Sequence, residues 1–179
     1  PTIAYIAETT GLPADTVEKS YRRHNRALLM GEVTHLDMWR QFCEELEMDI
    51  DYEILTGAFL NITLDQAVVD YIRKLKEKYL IGMITDNKVD RIETILKEKG
   101  LEELFDVVII SAQVHCGKTE EKIFEEALKR SNLKPQECVF IDNTAQNLEV
   151  PAKMGFRTLY FDDEKRDLAE LCDILKEGK

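Results

Sequence analysis

Four sequence patterns that mark common classes of protein are missing from this chain. Its four cysteines form no Cys-x-x-Cys pair, which argues against a zinc site and favours reduced thiols, as in a cytoplasmic protein. There is no glycine-rich loop and no internal repeat. No apolar run approaches the roughly 20 residues of a transmembrane helix, so we expect no membrane partner.

Basic residues are also in the minority. The 24 lysines and arginines face 35 aspartates and glutamates, which gives a formal net charge of −11 at pH 7. A surface this negative repels nucleic acid, so we expect no nucleic-acid partner. A small phosphorylated metabolite stays compatible with it, because a local group of cations can override the overall field. The 179 residues fit one domain with a small inserted subdomain, and homo-oligomer formation is left open.

Residues 1–62 carry only helical patterns. Thr34-His35-Leu36-Asp37 is a helix-start signature, and the apolar residues after it recur at three- and four-residue steps on one face, which predicts that Trp39 packs in a core. His35, within that helix start, is expected to be solvated. Gly11 and Gly31 stand where helices should end. We therefore predict a small helical cap subdomain over residues 1–62.

Residues 63–179 alternate between strand and helix patterns. The predicted strands are 79–84, 105–110, 138–141 and 158–161, and the last helix carries Leu168, Leu171, Ile174 and Leu175. This alternation predicts an α/β fold with a Rossmann-like, doubly wound parallel sheet. Ligands bind at the carboxyl ends of such strands. The residues at those ends are Thr85-Asp86-Asn87, Ser111 and Asp142-Asn143-Thr144.

Each polar residue at these strand ends has two interpretations. Asp142 is a ligand for Mg²⁺, which prefers oxygen donors, or an N-cap of the next helix. Thr85, with the amides of the following turn, holds phosphoryl oxygens or is a cap. Asp86 would repel a phosphate, so its side chain is expected to point away. Lys118, before a predicted helix from about Thr119, is a phosphate-binding cation or a solvated surface group.

Taken in order, these segments resemble the haloacid dehalogenase (HAD) superfamily of hydrolases. Its second, third and fourth motifs are similar to Ile84–Asn87, Gly117–Phe124 and Val139–Asn147, and Ala152–Phe156 is also similar to the family. The helical first third resembles the small cap that these enzymes insert after their first strand. Two departures stand out: Thr119 replaces a common proline, and Asn143 replaces a frequent aspartate.

The resemblance implies a first motif, an apolar strand ending in Asp-x-Asp, that the 179 residues do not contain. The only Asp-x-Asp is Asp49-Ile50-Asp51, which follows a helical stretch and is predicted to be a loop. In the family the missing strand lies between the strands that end at Thr85 and Asp142. We therefore expect about 15–25 further residues upstream in the natural protein, with one strand of about 5–6 residues. Otherwise the two strands pair directly, or another chain fills the gap.

The resemblance also implies a mechanism. The first aspartate of the missing motif attacks phosphorus, and the second protonates the leaving group. Mg²⁺ is held by Asp142 and Asn143, while Thr85, Asp86, Asn87 and Lys118 bind the phosphoryl group. The expected function is a Mg²⁺-dependent phosphatase of a small metabolite, inactive in the chain as given. A non-catalytic binding module and a metal-free 2-haloacid dehalogenase are the alternatives.

Overall fold

The computed structural model describes residues 2–166 together with Leu168 and Ala169. Of the predicted last helix, Leu171, Ile174 and Leu175 lie outside the described residues. None of the described helices is both long and apolar enough to cross a lipid bilayer.

Four α-helices make up the first part of the chain: α1 (Thr2–Thr10), α2 (Ala14–Leu29), α3 (His35–Glu45) and α4 (Tyr52–Leu60). The predicted start of α3 is confirmed, because Thr34 and Asp37 form a capping box in which each side chain accepts the other's backbone N–H. Gly11 and Gly31, with φ of +74° and +65°, follow the ends of α1 and α2 as predicted.

The remaining described chain alternates between strands and helices, as the sequence pattern predicts. The elements are α5 (Gln66–Lys76), β1 (Gly82–Thr85), α6 (Val89–Glu98), β2 (Val107–Ile110), α7 (Ser111–Val114), α8 (Glu121–Ser131), β3 (Val139–Asp142), α9 (Glu149–Met154) and β4 (Arg157–Tyr160). Short 3₁₀ turns occur at Glu102–Leu104, Pro135–Glu137 and Ala145–Leu148.

The four strands form two parallel pairs. β1 pairs with β2, so that Thr85 lies opposite Ile110, and β3 pairs with β4, so that Asp142 lies opposite Tyr160. Parallel strands joined by helices are the predicted Rossmann-like α/β arrangement. The two pairs are separate sheets, and within the described residues no ladder joins β1 to β3. Direct pairing of these two strands, one of the two alternatives, is therefore not what the described chain does.

The first four helices share one buried apolar cluster. Trp39 is only 7% exposed in this cluster, and its Nε1 donates to the Ile50 carbonyl at 2.8 Å, so its predicted core position is confirmed. Asp49-Ile50-Asp51 is a loop, also as predicted, and Asp51 accepts the Glu53 N–H at the start of α4. Ile95 of α6 packs against the same cluster. The division of the chain at residues 62 and 63 stays a prediction.

The expectation for His35 is wrong. The side chain is fully buried, with Nδ1 2.7 Å from Asp90 Oδ2 and Nε2 2.7 Å from the Tyr21 hydroxyl oxygen. Asp90 belongs to α6, so this hydrogen bond joins α3 to α6, and the imidazole also packs against the Phe59 ring of α4 with 5.1 Å between the ring centroids. The buried imidazole keeps both ring nitrogens hydrogen-bonded, as burial of a polar ring requires.

Candidate functional site

Asp142 is the last residue of β3 and lies at the carboxyl end of the strand. It is only 9% exposed. Its Oδ1 accepts hydrogen bonds from the Thr144 N–H at 2.8 Å and from Asn147 Nδ2 at 3.1 Å. Asp142 therefore caps the turn that follows β3, and this turn holds its carboxylate in one orientation.

Lys118 reaches this carboxylate from a different loop. It lies in the turn between α7 and α8, and its Nζ is 2.6 Å from Asp142 Oδ2. The two side chains are only 15% and 6% exposed, so the pair is largely shielded from water. The structure thus brings together two residues that are 24 positions apart in the sequence. A charge-assisted hydrogen bond of this kind is stronger than one between neutral groups.

The turn that carries Lys118 differs from the prediction. Helix α8 begins at Glu121, two residues after the predicted start, because the Glu120 N–H donates to the Gly117 carbonyl at 3.0 Å and closes a turn there. Lys118 therefore lies three residues before the first residue of the helix.

The loop after β1 is tied to the same turn. Asp86 Oδ1 accepts the backbone N–H of Lys118 at 3.0 Å. This hydrogen bond places the end of β1, which carries Thr85, beside the turn of Lys118. Thr85 is half-buried, and its hydroxyl makes no hydrogen bond to the described residues. The loop after β1, the turn of Lys118 and the end of β3 are thus connected through Lys118.

Asn87 and Ser111 make hydrogen bonds that hold neighbouring segments of the chain together. Asn87 Oδ1 accepts from Arg91 Nη1 at 3.2 Å and from the Lys88 N–H at 3.1 Å. Ser111 is fully buried; its hydroxyl accepts the Asn87 N–H at 3.0 Å and donates to the Leu29 carbonyl at 3.0 Å. Ser111 thus joins the end of β2 to the loop after β1 and to α2.

The environment keeps Asp142 ionised. Burial alone raises the pKa of a carboxyl group, but hydrogen bonds from Lys118, Thr144 and Asn147, together with the lysine charge, outweigh burial and lower the pKa of Asp142 below its ordinary value. A carboxylate that is charged at neutral pH is able to bind a cation.

Asn143 is exposed next to Asp142, and its Nδ2 donates to Asp163. Sequence analysis did not select Asp163, nor did it assign a role to Asn147, although Asn147 belongs to the segment that resembles the fourth motif. The position of Asn147 five residues after Asp142 was the available signal. No signal pointed to Asp163, which follows β4.

The donor chemistry at the end of β3 fits Mg²⁺. Magnesium takes oxygen ligands and is usually held by one or two carboxylates, with waters and substrate phosphate completing its shell. Asp142 supplies an ionised carboxylate, and Asn143 has an amide oxygen beside it. The described residues contain no group of three or more His, Cys, Asp or Glu side chains placed to bind a metal. Among the described residues, Asp142 and Asn143 are therefore the groups at this strand end that could hold a metal ion.

The sequence of the chain also matches a known protein family. A family model described as haloacid dehalogenase-like hydrolase matches residues 2–155. The chain belongs to this family of hydrolases. The resemblance of the three motifs and of the fold to the HAD superfamily is thereby confirmed.

Two curated HAD-related proteins illustrate the range of activities among its relatives. Glyceraldehyde 3-phosphate phosphatase of Pyrococcus furiosus is 35% identical over 92 residues, which are 50% of this chain and 38% of that protein. (S)-2-haloacid dehalogenase 4A of Burkholderia cepacia is 22% identical over 106 residues, 59% of this chain and 46% of that protein. The chain thus spans less than half the length of either relative.

A solved structure supports the fold. A HAD family enzyme of Bacteroides thetaiotaomicron, in complex with magnesium and inorganic phosphate, is similar with a TM-score of 0.72 and 19% identity. The match covers 81% of this chain and 77% of that chain. At this identity the likeness shows a shared HAD fold.

Proposed function

We propose that the complete protein is a Mg²⁺-dependent phosphatase of a small phosphorylated metabolite. The observation that carries the proposal is the 2.6 Å contact between Lys118 Nζ and Asp142 Oδ2 at the carboxyl end of β3. It joins a cation able to neutralise a phosphoryl group to a carboxylate able to hold a metal. The phosphatase among the relatives and the neighbour that binds magnesium and phosphate support this choice.

Each residue of the site has a role in this proposal. Lys118 offsets the negative charge of the phosphoryl group and holds Asp142 in place. The Thr85 hydroxyl and the Asp86 backbone N–H donate to phosphoryl oxygens. Asn87, whose N–H donates to the Ser111 hydroxyl, holds the loop in place. The carboxylate of Asp86 serves indirectly, because it fixes the Lys118 backbone. Asp142 and Asn143 would hold Mg²⁺, which when bound stabilises the charge that develops on the phosphoryl oxygens.

The nucleophile is proposed to come from a strand between β1 and β3. Asp86, at the end of β1, accepts the Lys118 N–H through Oδ1, and in this proposal its carboxylate positions that backbone and is not the nucleophile. The family pattern provides an Asp-x-Asp at the end of that strand. We expect the 179 residues by themselves to hydrolyse no phosphate ester, and turnover by this chain alone would contradict this part of the proposal.

The test is a panel of phosphate monoesters assayed with the complete protein, with Mg²⁺ and with a chelator. Turnover should require Mg²⁺. Lys118→Ala should lower kcat about 100- to 1,000-fold while the protein stays folded, because one donor to the developing charge is lost. Lys74→Ala removes an exposed lysine of α5 and serves as the control. Unchanged turnover in Lys118→Ala would remove this residue from the site.

Two other functions have an observation in their favour. The amide of Asn143, in place of an acidic group, lowers the negative charge offered to a metal, which favours a non-catalytic binding module. The dehalogenase among the relatives favours hydrolysis of a 2-haloacid, a reaction that needs no metal. A complete protein that binds Mg²⁺ but hydrolyses no ester supports the module. Release of halide from a 2-haloacid in the presence of a chelator supports the dehalogenase.

A further inference from the structure

Lys88 follows the loop that carries Thr85, and its side chain contacts helix α2. It is the N-cap residue of α6 and follows Thr85 by three residues, a stretch of chain that spans at most about 11 Å. Its Nζ donates to Asn25 Oδ1 of α2 at 2.7 Å and lies 5.7 Å from the ring centroid of Tyr21 on the same helix. The ammonium therefore sits where helix α2 meets the loop that follows β1.

The positive charge of Lys88 is poorly compensated. Burial, followed by repulsion from Arg91, lowers the pKa of Lys88 to about 8, although Asp90 acts in the opposite direction. Asn25 and the face of Tyr21 are neutral. An ammonium group has three hydrogens to donate, and within the described residues only Asn25 accepts one. Partial burial of a cation without an anionic partner is costly.

The carboxylate that acts on Lys88 electrostatically, Asp90, is already occupied. Asp90 accepts hydrogen bonds from His35 Nδ1 at 2.7 Å, from the Tyr52 hydroxyl at 3.4 Å and from the Arg91 backbone. These bonds direct it towards α3 and α4. Asp90 contributes to the field at Lys88 but makes no ion pair with it.

Arg91 adds a second cation to the same place. Its Nη1 donates to Asn87 Oδ1 at 3.2 Å, and its Nε is buried without a hydrogen-bond partner among the described residues. Asn87 belongs to the loop that carries Thr85. Two cations with unused donors therefore stand three residues apart at the start of α6, directly after the loop that carries Thr85, in a chain whose overall charge is −11.

We infer that Lys88, with Asn25 and Arg91 beside it, is a specificity-determining residue that binds a second anionic group of the substrate, a carboxylate or a second phosphate. This inference rests on the proposed phosphatase function. The short distance along the chain between Thr85 and Lys88 suits a metabolite of a few carbon atoms, with its reacting phosphate at Thr85 and Lys118 and its other end at Lys88. The anionic end completes the hydrogen bonds of the ammonium and offsets the charge repulsion from Arg91.

The test uses the complete protein with Mg²⁺ and two matched pairs of esters. In the carboxylate arm, 3-phosphoglycerate is compared with glycerol 3-phosphate; in the phosphate arm, glucose 1,6-bisphosphate is compared with glucose 1-phosphate. The ratio of kcat/KM within each pair measures recognition of the second anion. We expect a ratio of about ten or more in one arm, and the arm identifies which anion is bound.

Lys88→Met keeps the length of the side chain but removes its charge, and it should lower that ratio about 10- to 100-fold, mainly through KM. Lys88→Arg should restore part of the ratio. Lys74→Met, an exposed lysine on α5, should leave the ratio unchanged. Thermal unfolding of each variant checks that it is folded.

The outcomes separate this inference from the proposed function. Hydrolysis of phosphate esters with no preference within either pair, or with a preference that Lys88→Met retains, overturns the role of Lys88 and leaves the phosphatase function standing. No hydrolysis of any phosphate ester by the unmodified protein removes the phosphatase function, and the role of Lys88 falls with it.

Discussion

Lys118 and Asp142 combine two tasks in one ion pair. The lysine lowers the energetic cost of a buried carboxylate, and the carboxylate fixes the lysine next to the loop that carries Thr85. Buried pairs contribute less to stability than their distance suggests, because both groups lose water. Removing one partner is nevertheless costly, since the other charge is left buried without compensation.

A double-mutant cycle measures this coupling. Lys118→Met, Asp142→Asn and the double variant should give a coupling energy of about 1–3 kcal/mol in urea unfolding. The exposed pair Arg40–Glu44 on α3, with side chains 90% and 63% exposed, is the control and should give only about 0.3–0.5 kcal/mol. A coupling at the buried pair no larger than that of the control would contradict this picture.

The coupling should depend on pH in a defined direction. The pKa of Asp142 is lower in the folded protein than its ordinary value of 3.8, so the unfolded chain takes up protons first as the pH falls. The stabilisation is therefore complete above pH 3.8 and is lost as the pH falls through the lower pKa of the folded state. Coupling that persists below that range would show that the charge of Asp142 is not its source.

His35 shows where inference from single residues failed. A histidine in the first turn of an amphipathic helix is usually solvated, and the capping box around it was correctly predicted. Its environment is made by the rings of Tyr21 and Phe59 and by a hydrogen bond to Asp90, which is 55 residues away in the sequence. No local sequence pattern indicates such a contact.

Helix and strand boundaries depend on both local and distant hydrogen bonds. β1 was predicted from Tyr79 but begins at Gly82, and the preceding Ile81 N–H donates to the Asp106 side chain at 2.8 Å. The Asp106 and Val107 N–H groups in turn donate to the Ile81 carbonyl. The ladder between β1 and β2 therefore begins only after Ile81. Apolar residues before that point satisfy the strand pattern without joining the sheet.

Gly31 connects two elements through a close backbone approach. It follows α2, and a Cβ added there would lie 2.0 Å from the Ala112 carbonyl oxygen of α7. Its φ of +65° adds strain for any other residue. The junction between α2 and α7 therefore requires glycine for space as well as for backbone conformation.

Gly31→Ala should reduce the free energy of unfolding by at least about 2 kcal/mol more than Gly11→Ala does. Gly11 is the matched control, because its φ of +74° is similar but an added Cβ would meet nothing within 4 Å. Gly11→Ala should cost only about 1–2 kcal/mol, from backbone strain alone. Urea unfolding of both variants gives the comparison, and equal costs would show that α7 moves away freely.

At the level of the entire fold, the two separate sheets are the main structural feature. Ile81 and Cys138 direct their carbonyls to β2 and β4, respectively. The backbone N–H and C=O groups of successive residues point alternately to the two sides of a parallel strand. Those of Gly82, Ile84, Val139 and Ile141 therefore point away from the strand with which each is paired. Ile141 of β3 is also 37% exposed. Both sheets therefore have an open edge beside the candidate site.

Hydrogen exchange tests whether a strand fills this gap in the complete protein. In the 179-residue chain, the amides of Gly82, Ile84, Val139 and Ile141 should exchange at least about tenfold faster than the alternate amides of the same strands, because they lack ladder partners. In the complete protein the two sets should be similarly protected. Fast exchange of the four amides there would argue against a strand that carries the nucleophile between β1 and β3.

The pattern of helices and strands along the chain and the polar residues at the strand ends were determined by the sequence itself. Hydrophobic periods placed Thr85 and Asp142 directly after apolar stretches, the capping box marked the start of α3, and the order of three short motifs pointed to the HAD family. Each of these features depends on residues that lie a few positions apart within a short segment. They can therefore be recognised in a single sequence.

Contacts between distant segments were decided only by the tertiary structure. The hydrogen bonds of Asp86 to the Lys118 backbone, of His35 to Asp90 and of Lys88 to Asn25 join residues 32, 55 and 63 positions apart. Such contacts depend on how helices pack on strands and on which charges that packing leaves without a partner. Neither the packing of helices on strands nor the unpaired charges produce a periodic pattern in the sequence.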